Sequence, residues 1–273
     1  MENKILLFIP MYNCEKQIIR LLKQITPEIE SFVSSVIIVN NRSTDKSENV
    51  AINYIRNSTN SIEIKLLRNK HNYGLGGSHK VAFEYAVKHG FDYVIVLHGD
   101  DQGRIADFLP LLQTKKYEKY DCCLGARFMK GAKLYGYSWV RVWGNYVFNF
   151  LFSIVVGQPI YDLGSGLNLY KVETLKNKYY QKYPDTLYFN DCMILAACFY
   201  GQRMLFYPIS WREEDQISNN KIIKFAIALL KMLGKYILNK ERYLKSDMRC
   251  KVIDNYEVEF VFQKHSGNMS RSF

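Results

Sequence analysis

No two cysteines in the chain are spaced C-x-x-C, so the six present (Cys14, Cys122, Cys123, Cys192, Cys198 and Cys250) do not mark a zinc site. Four lie in apolar contexts that suit small buried hydrophobes, which favours a reducing, cytoplasmic compartment over a disulfide framework. No apolar stretch reaches the roughly 20 residues that a spanning helix needs. The N-terminal "MENKILLFIPMYN" has too short an apolar run, followed too soon by Asn13 and Glu15, for a secretory signal. An integral membrane protein is therefore not expected. The glycines of "NYGLGG" miss the G-x-G-x-x-G register and there is no G-K-[ST], which excludes the dinucleotide fingerprint and the P-loop. Internal repeats and low-complexity linkers are also missing. Acidic residues are in deficit, 26 Asp and Glu against 37 Lys and Arg, for a formal charge of +11. That balance favours an anionic partner such as a nucleotide, a phosphate, a lipid headgroup or nucleic acid, without choosing among them.

What is there is a globular α/β pattern. The 273 residues are 48% hydrophobic, enough for one large domain or two small ones. Through the first half, short β-rich runs alternate with helical patterns: "KILLFIP" then 15–26, "SVIIVN" then 47–57, "IEIKLLRN" then 77–88, "YVIVLHG" then 105–112. Nearly continuous apolar strands between amphipathic helices predict a mostly parallel sheet covered on both faces, with ligands bound beyond the C-terminal strand ends. Polar residues gather at those ends, as "PMYN", "NNRSTD", "NKHNYGLGG" and "HGDDQ". Four strand ends would thus surround one crevice. Beyond about residue 125 the alternation fades. The pattern predicts a long apolar and aromatic helix over 138–156, a helix over 190–200, a strand over 203–210, a basic helix from Lys221 to about Arg242 and a strand-like tail over 251–263.

Each motif has a chemical and a plainer reading. In "HGDDQ", two adjacent carboxylates at a strand tip repel each other and lose hydration unless a cation or solvent compensates. Mg²⁺ typically takes one or two protein carboxylates plus substrate phosphates, so Asp100 and Gln102, on one side of an extended backbone with Asp101 on the other, are candidate ligands; a solvated turn is the competing reading. Asn40 and Asn41 carry carboxamides that can pair with a nucleobase edge, whereas Ser43 and Asp45 equally suit a helix start. The glycines of "NYGLGG" let backbone approach a ligand and helix N–H groups face an anion, or simply form a turn. Arg127, Arg141 and Arg212 suit bidentate phosphate binding or ordinary surface roles. Asp191 reads equally as a helix cap or a catalytic carboxylate. Lys224, Lys231, Lys235 and Arg242 share a helix face opposite Ile, Phe and Leu, which fits a core-packed helix with a solvated basic face or one lying on an anionic membrane.

In this order, "IPMYN", "NNRSTD", "NYGLGG", "HGDDQ", "GARF", "DLGSGLNLYK" and "WREEDQIS" resemble the family-two inverting glycosyltransferases with a GT-A fold, over about 5–218. Within that family the chain is most similar to the dolichyl-phosphate mannose synthase and bacterial polyprenyl-phosphate glycosyltransferase branch. The resemblance implies a single GT-A (Rossmann-like) domain over 1–218, followed by a C-terminal amphipathic helix and strand-like tail over 219–273 that associates with membrane. It implies that Asp100 and Gln102 hold Mg²⁺ or Mn²⁺ against a sugar-nucleotide diphosphate. His98 stands where the family has the first Asp of its D-x-D-x-Q motif; protonated it would repel the metal, so activity is expected to fall below about pH 6.5. Pro10, Tyr12, Asn40, Asn41, Asn72, Gly74 and His98 would bind the nucleotide. Asn40 and Asn41 replace the family's D-D, which leaves the base open. Arg127, Arg141 and Arg212 match positions that bind an acceptor phosphate, and Asp100, Asp191, Arg127 and Arg212 form the implied catalytic set.

The function so implied is transfer of a sugar from a nucleotide-diphosphate donor to a lipid-linked acceptor, a polyprenyl phosphate first, in bacterial surface-polysaccharide synthesis at the cytoplasmic face of the membrane. Transfer to a sugar hydroxyl, with Asp191 as base, is the next reading. A nucleotidyltransferase and a catalytically inactive nucleotide- or membrane-binding module remain as alternatives. Nucleic acid is not an expected partner, and a homo-oligomer is compatible with the pattern.

Overall fold

The computed structural model describes residues 3–213 and 222–265. The strands are β1 (Ile5–Met11), β2 (Ser35–Asn40), β3 (Ile64–Asn69), β4 (Tyr93–Leu97), β5 (Cys122–Ala126), β6 (Lys133–Tyr135), β7 (Leu167–Lys171), β8 (Met204–Pro208), β9 (Ser210–Arg212) and β10 (Val258–Lys264). The helices are α1 (Ile18–Leu22), α2 (Pro27–Glu30), α3 (Ser47–Asn57), α4 (Gly74–Lys88), α5 (Leu109–Gln113), α6 (Trp139–Val156), α7 (Val172–Leu175), α8 (Phe189–Phe199), α9 (Ile222–Leu238) and α10 (Lys240–Lys245).

Eight strands form one sheet in the order β10-β3-β2-β1-β4-β7-β5-β8, and β6 pairs with β9 in a small second sheet. In the large sheet only β7 and β10 run against the rest. Alternate side chains of each central strand enter opposite cores: Leu6, Phe8, Val94 and Val96 face one, Leu7, Ile9, Ile95 and Leu97 the other. Double-sided burial explains why these strands read as unbroken apolar runs. α4, α6, α8 and α9 cover the first face, while α1, α3 and α5 cover the second.

The expected helix over 15–26 is shorter in the structure, because Thr26 caps a new helix at Pro27, its hydroxyl accepting from the Ile29 N–H at 3.4 Å. The expected basic helix ends at Leu238, where the Asn239 side chain accepts from the Arg242 N–H at 2.8 Å and starts α10. Arg242 therefore does not share a helix with Lys224, Lys231 and Lys235. Lys221 and the 218/219 boundary lie outside the described residues, as does "EDQIS" of the "WREEDQIS" segment. β10, in the tail, pairs with β3 along the edge of the large sheet.

The reversed direction of β7 matters most for function. Its N-terminus lies beside the C-terminal ends of β4 and β5, so the loop "DLGSG" joins the parallel strand ends from the far half of the chain.

Candidate active site

Two adjoining cavities lie beyond the C-terminal strand ends, of about 610 Å³ and about 630 Å³. Tyr12, Leu75, His98, Asp100 and Leu187 line both, so Asp100 stands at their junction.

The smaller cavity is a crevice over β1, β2 and β3, lined by Pro10, Tyr12, Asn41, Asn72 and Gly74 as the sequence reading expects. Asn41 is locked: its Oδ1 accepts from Asn69 Nδ2 and the Tyr73 N–H, both at 2.8 Å, and its Nδ2 donates to Asn72 Oδ1 at 2.8 Å. Asn72 Oδ1 also accepts from the Gly74 N–H at 3.0 Å. This amide ladder fixes the crevice wall. Asn40 corrects the reading. It does not line the crevice; its side chain lies on the other face of β2, donating to Glu48 at 2.7 Å and accepting from the Ser43 N–H at 2.9 Å. It shapes the turn into α3.

"NYGLGG" serves packing more than anion binding. The Gly76 N–H donates to the Asp185 carbonyl at 2.9 Å, and a Cβ on Gly76 would lie 2.3 Å from the Pro184 carbonyl oxygen. The glycines let 183–187 pass against the first turn of α4, which brings Thr186 and Leu187 over the crevice. Buried Lys80 holds that loop, its Nζ donating to the Tyr183 carbonyl (2.6 Å), Asp185 Oδ1 (2.7 Å) and Tyr256 Oη (3.0 Å).

The tip of β4 is a turn rather than an extended chain, with Asp101 in the left-handed region at φ 58°. Asp100 and Gln102 line the larger cavity as expected, and Asp101 turns away. Its carboxylate accepts from Arg20 Nε (2.9 Å), Arg212 (2.7 Å) and Gln24 Nε2 (2.7 Å). Arg212 is thus corrected: on β9 it faces Asp101, while its neighbours Trp211 and Glu213 line the cavity. Arginines pair directly with Asp101, whereas Arg127 favours the charge of Asp100 without a direct ion pair among the described residues. Asp100 receives a long bond from the Gln102 N–H, at 3.3 Å, and burial, followed by the charge of Asp101, pushes its carboxyl up to about 6.

His98 does not supply the cause expected for a loss of activity below about pH 6.5. Burial, then the charges of His79 and Arg127, pull its pKa down to about 3, so the imidazole is neutral across the working range. A Cβ on Gly166 would lie 2.6 Å from the ring, and the His98 N–H donates to the Gly166 carbonyl at 2.9 Å. His98 Nε2 is buried and unpartnered among the described residues.

The larger cavity is built around Arg127. Asp162, first residue of "DLGSG", grips its guanidinium at 2.7 and 2.8 Å and its backbone N–H at 2.8 Å. The guanidinium lies 5.0 Å over the Trp211 ring and donates to Tyr137 at 3.3 Å. Burial opposes its charge, but Asp162 more than offsets that and holds it protonated. Arg141 pairs with Glu213 in the same cavity. Asp191, in the first turn of α8, is buried there, and burial raises its carboxyl well above the ordinary range. Val140, Phe148, Leu163, Leu187, Phe225 and Leu229 form the apolar remainder. Sequence reasoning left Asp162, Tyr137, Trp211 and Glu213 without a role. The available signal was an acid at one β-strand end matched to the arginine of "GARF" at another.

Among the described residues, no three His, Cys, Asp or Glu side chains gather to hold an ion. A carboxylate without a direct ion-pair partner among the described residues, with an amide nearby, nonetheless fits a hard divalent cation whose remaining ligands are diphosphate oxygens. Asp100 and Gln102 would hold it.

The sequence model of glycosyl transferase family 2 matches residues 7–178. An uncharacterized protein of Methanocaldococcus jannaschii is 24% identical over 208 residues, covering 76% of this chain and 81% of that protein. Among solved structures, glucosyl-3-phosphoglycerate synthase from Mycobacterium tuberculosis with UDP superposes with a TM-score of 0.60 at 12% identity, over 86% of this chain and 80% of the other. The same enzyme with Mn²⁺, UDP-glucose and glycerol 3-phosphate gives 0.57 at 12% identity, over 89% and 80%. S. aureus TarS with UDP-GlcNAc gives 0.57 at 18% identity, over 88% and 70%. These likenesses establish a common GT-A fold.

Proposed function

This chain belongs to glycosyl transferase family 2, and from that premise we propose that it moves a sugar from a nucleoside-diphosphate donor to an acceptor with an anionic head and an apolar tail, a polyprenyl phosphate first. The observation that carries the reading is the larger cavity, whose lining combines Arg127, Arg141 and Asp191 with the apolar Val140, Phe148 and Leu229, and which meets the crevice at Asp100. The solved relatives that hold UDP, UDP-glucose or UDP-GlcNAc support a uridine nucleotide as the first donor to try. Surface-glycan assembly is the matching setting.

In this reading the nucleoside sits against Pro10, Tyr12, Asn41 and Asn72, and the diphosphate reaches Asp100. Bound there, Mg²⁺ or Mn²⁺ would supply charge to offset the leaving diphosphate. An acceptor oxygen forms its bond to the anomeric carbon as the bond to the diphosphate oxygen breaks, with inversion. Arg127, rigid in its clamp, attracts the acceptor head and orients it. A phosphate acceptor is already nucleophilic near neutral pH, so Asp191 then positions rather than deprotonates.

Transfer to a sugar hydroxyl is the second reading, favoured by the place of Asp191 in the cavity wall, where burial makes its carboxylate a stronger proton acceptor than an exposed one. The deciding experiment is radiolabelled transfer from UDP-sugars, with Mn²⁺, to polyprenyl phosphate and to oligosaccharide acceptors, repeated with Asp191→Asn. Labelled lipid, with a loss of roughly tenfold or less in the variant, supports the phosphate acceptor; labelled oligosaccharide with a loss of about a thousandfold supports the hydroxyl. Labelling of neither overturns both.

A further inference from the structure

α6 and α9 both wall the larger cavity, through Arg141, Asn145 and Phe148 on one and Phe225, Ala226 and Leu229 on the other. Their opposite sides carry a second apolar surface that is largely exposed, although the Tyr146 ring within it meets Phe128 edge-on at 5.7 Å. On α6 it consists of Trp139, Trp143, Tyr146, Val147, Phe150 and Ile154, with Trp143 and Phe150 each 65% exposed. On α9 it is a stripe of Ile223, Ile227, Leu230 and Ile237 at helical spacing, away from the buried Leu229, Met232, Leu233 and Tyr236. A water-soluble helix normally exposes polar residues there. α6 is long and apolar enough to cross a bilayer, yet Arg141 and Asn145 on its inner side belong to the cavity wall.

We propose that the outward faces of α6 and α9 form one surface that docks on an anionic lipid bilayer, laying both helices in the interface with the cavity between them at headgroup depth. Charge selects this occupant. Neither helix contains an acidic residue, and Lys224, Lys231 and Lys235 flank the α9 stripe, all exposed. Lysines bordering an apolar stripe attract acidic headgroups, and tryptophan and tyrosine favour the water–lipid boundary. A second copy of the chain would bring the same lysines into mutual repulsion. The inference goes beyond the acceptor reading, since docking needs no polyprenyl phosphate.

The test is flotation of the full chain with vesicles of phosphatidylcholine, alone or with phosphatidylglycerol. Binding should require the anionic lipid and weaken with salt. Trp143→Glu with Phe150→Glu should lower the bound fraction by roughly tenfold or more, and Lys224→Gln with Lys231→Gln and Lys235→Gln by a similar factor. A cooperative thermal unfolding transition matching that of wild type in both variants verifies the fold. Asp100→Asn should keep full vesicle binding, so a wrong donor or acceptor leaves this outcome untouched. Absence of wild-type binding, binding unchanged in both variants, or a dimer that the glutamate pair dissociates would each overturn the proposal.

Discussion

The crevice and the larger cavity share Asp100 but are made differently. The crevice is a product of the parallel strands: its polar residues follow β1, β2, β3 and β4 directly, and backbone and amide bonds fix them. The cavity is assembled from distant pieces, β7's leading loop, α6, α8, β9 and α9, around a buried Arg127–Asp162 pair. A site made by strand ends inherits its geometry from the sheet. One made by loops and helices needs strong ionic anchors, and its specificity can vary without disturbing the sheet.

The sharpest test of that division is Asp100, which belongs to both. Asp100→Ala should lower turnover by on the order of a thousandfold, measured as labelled product per minute at saturating donor. Asp100→Asn should do nearly the same while making the free protein more stable. The folded pKa of about 6 lies above the ordinary 3.8. This group's contribution to stability is therefore fully present below the ordinary value and lost as pH rises through about 6. The variant should gain roughly 2 kcal/mol over wild type near pH 8, and the gain should vanish near pH 4, as read by denaturant melts. A pH-independent difference would mean that Asp100 is not held in a disfavoured charged state.

Arg127 tests whether the cavity depends on its ion pair. Arg127→Met should destabilise by about 3 kcal/mol, because Asp162 keeps a buried, uncompensated charge. Adding Asp162→Leu should restore most of the stability and none of the transfer activity. Recovery of activity in the double variant would reduce the arginine to a structural part.

The same contrast governs what could be read in advance. Strand periodicity and polar strand ends announced the crevice, the sheet and Asp100 because those features are local. Asp162 and Glu213 escaped because their meaning depends on β7 running backwards and on β9 facing two ways, neither of which periodicity encodes. Arg212 was misplaced for that second reason: alternation on β9 gives Trp211 and Glu213 to the cavity and Arg212 to Asp101. His98 lines both cavities, but its charge depends on burial, which a linear motif cannot show.

A smaller effect separates scaffold from crevice. Gly76→Ala sets a Cβ 2.3 Å from the Pro184 carbonyl oxygen and should lower stability by about 2 kcal/mol, with a raised KM for donor as Thr186 and Leu187 shift. Gly234→Ala, on α9 with open space around it, should instead gain about 0.5–1 kcal/mol and leave KM alone. Equal effects at both glycines would show helix propensity, rather than the close approach of 183–187, to be what matters at Gly76.

The finest distinction lies between two adjacent asparagines. Asn40 and Asn41 look alike in sequence, yet the strand pleat sends one toward Glu48 and the other into the crevice wall. Asn40→Ala should cost about 1 kcal/mol, from its lost bonds to Glu48 and Ser43, and leave the ranking of UDP, GDP and CDP sugars unchanged. Asn41→Ala frees Asn72 and the Tyr73 N–H at once, so it should weaken donor binding as well as the fold. The check is a thermal-shift series over the three nucleotides for each variant. If Asn40→Ala altered base preference while Asn41→Ala did not, the nucleobase would lie on the α3 side of β2, and the crevice would have to be redrawn around the turn that Asn40 shapes.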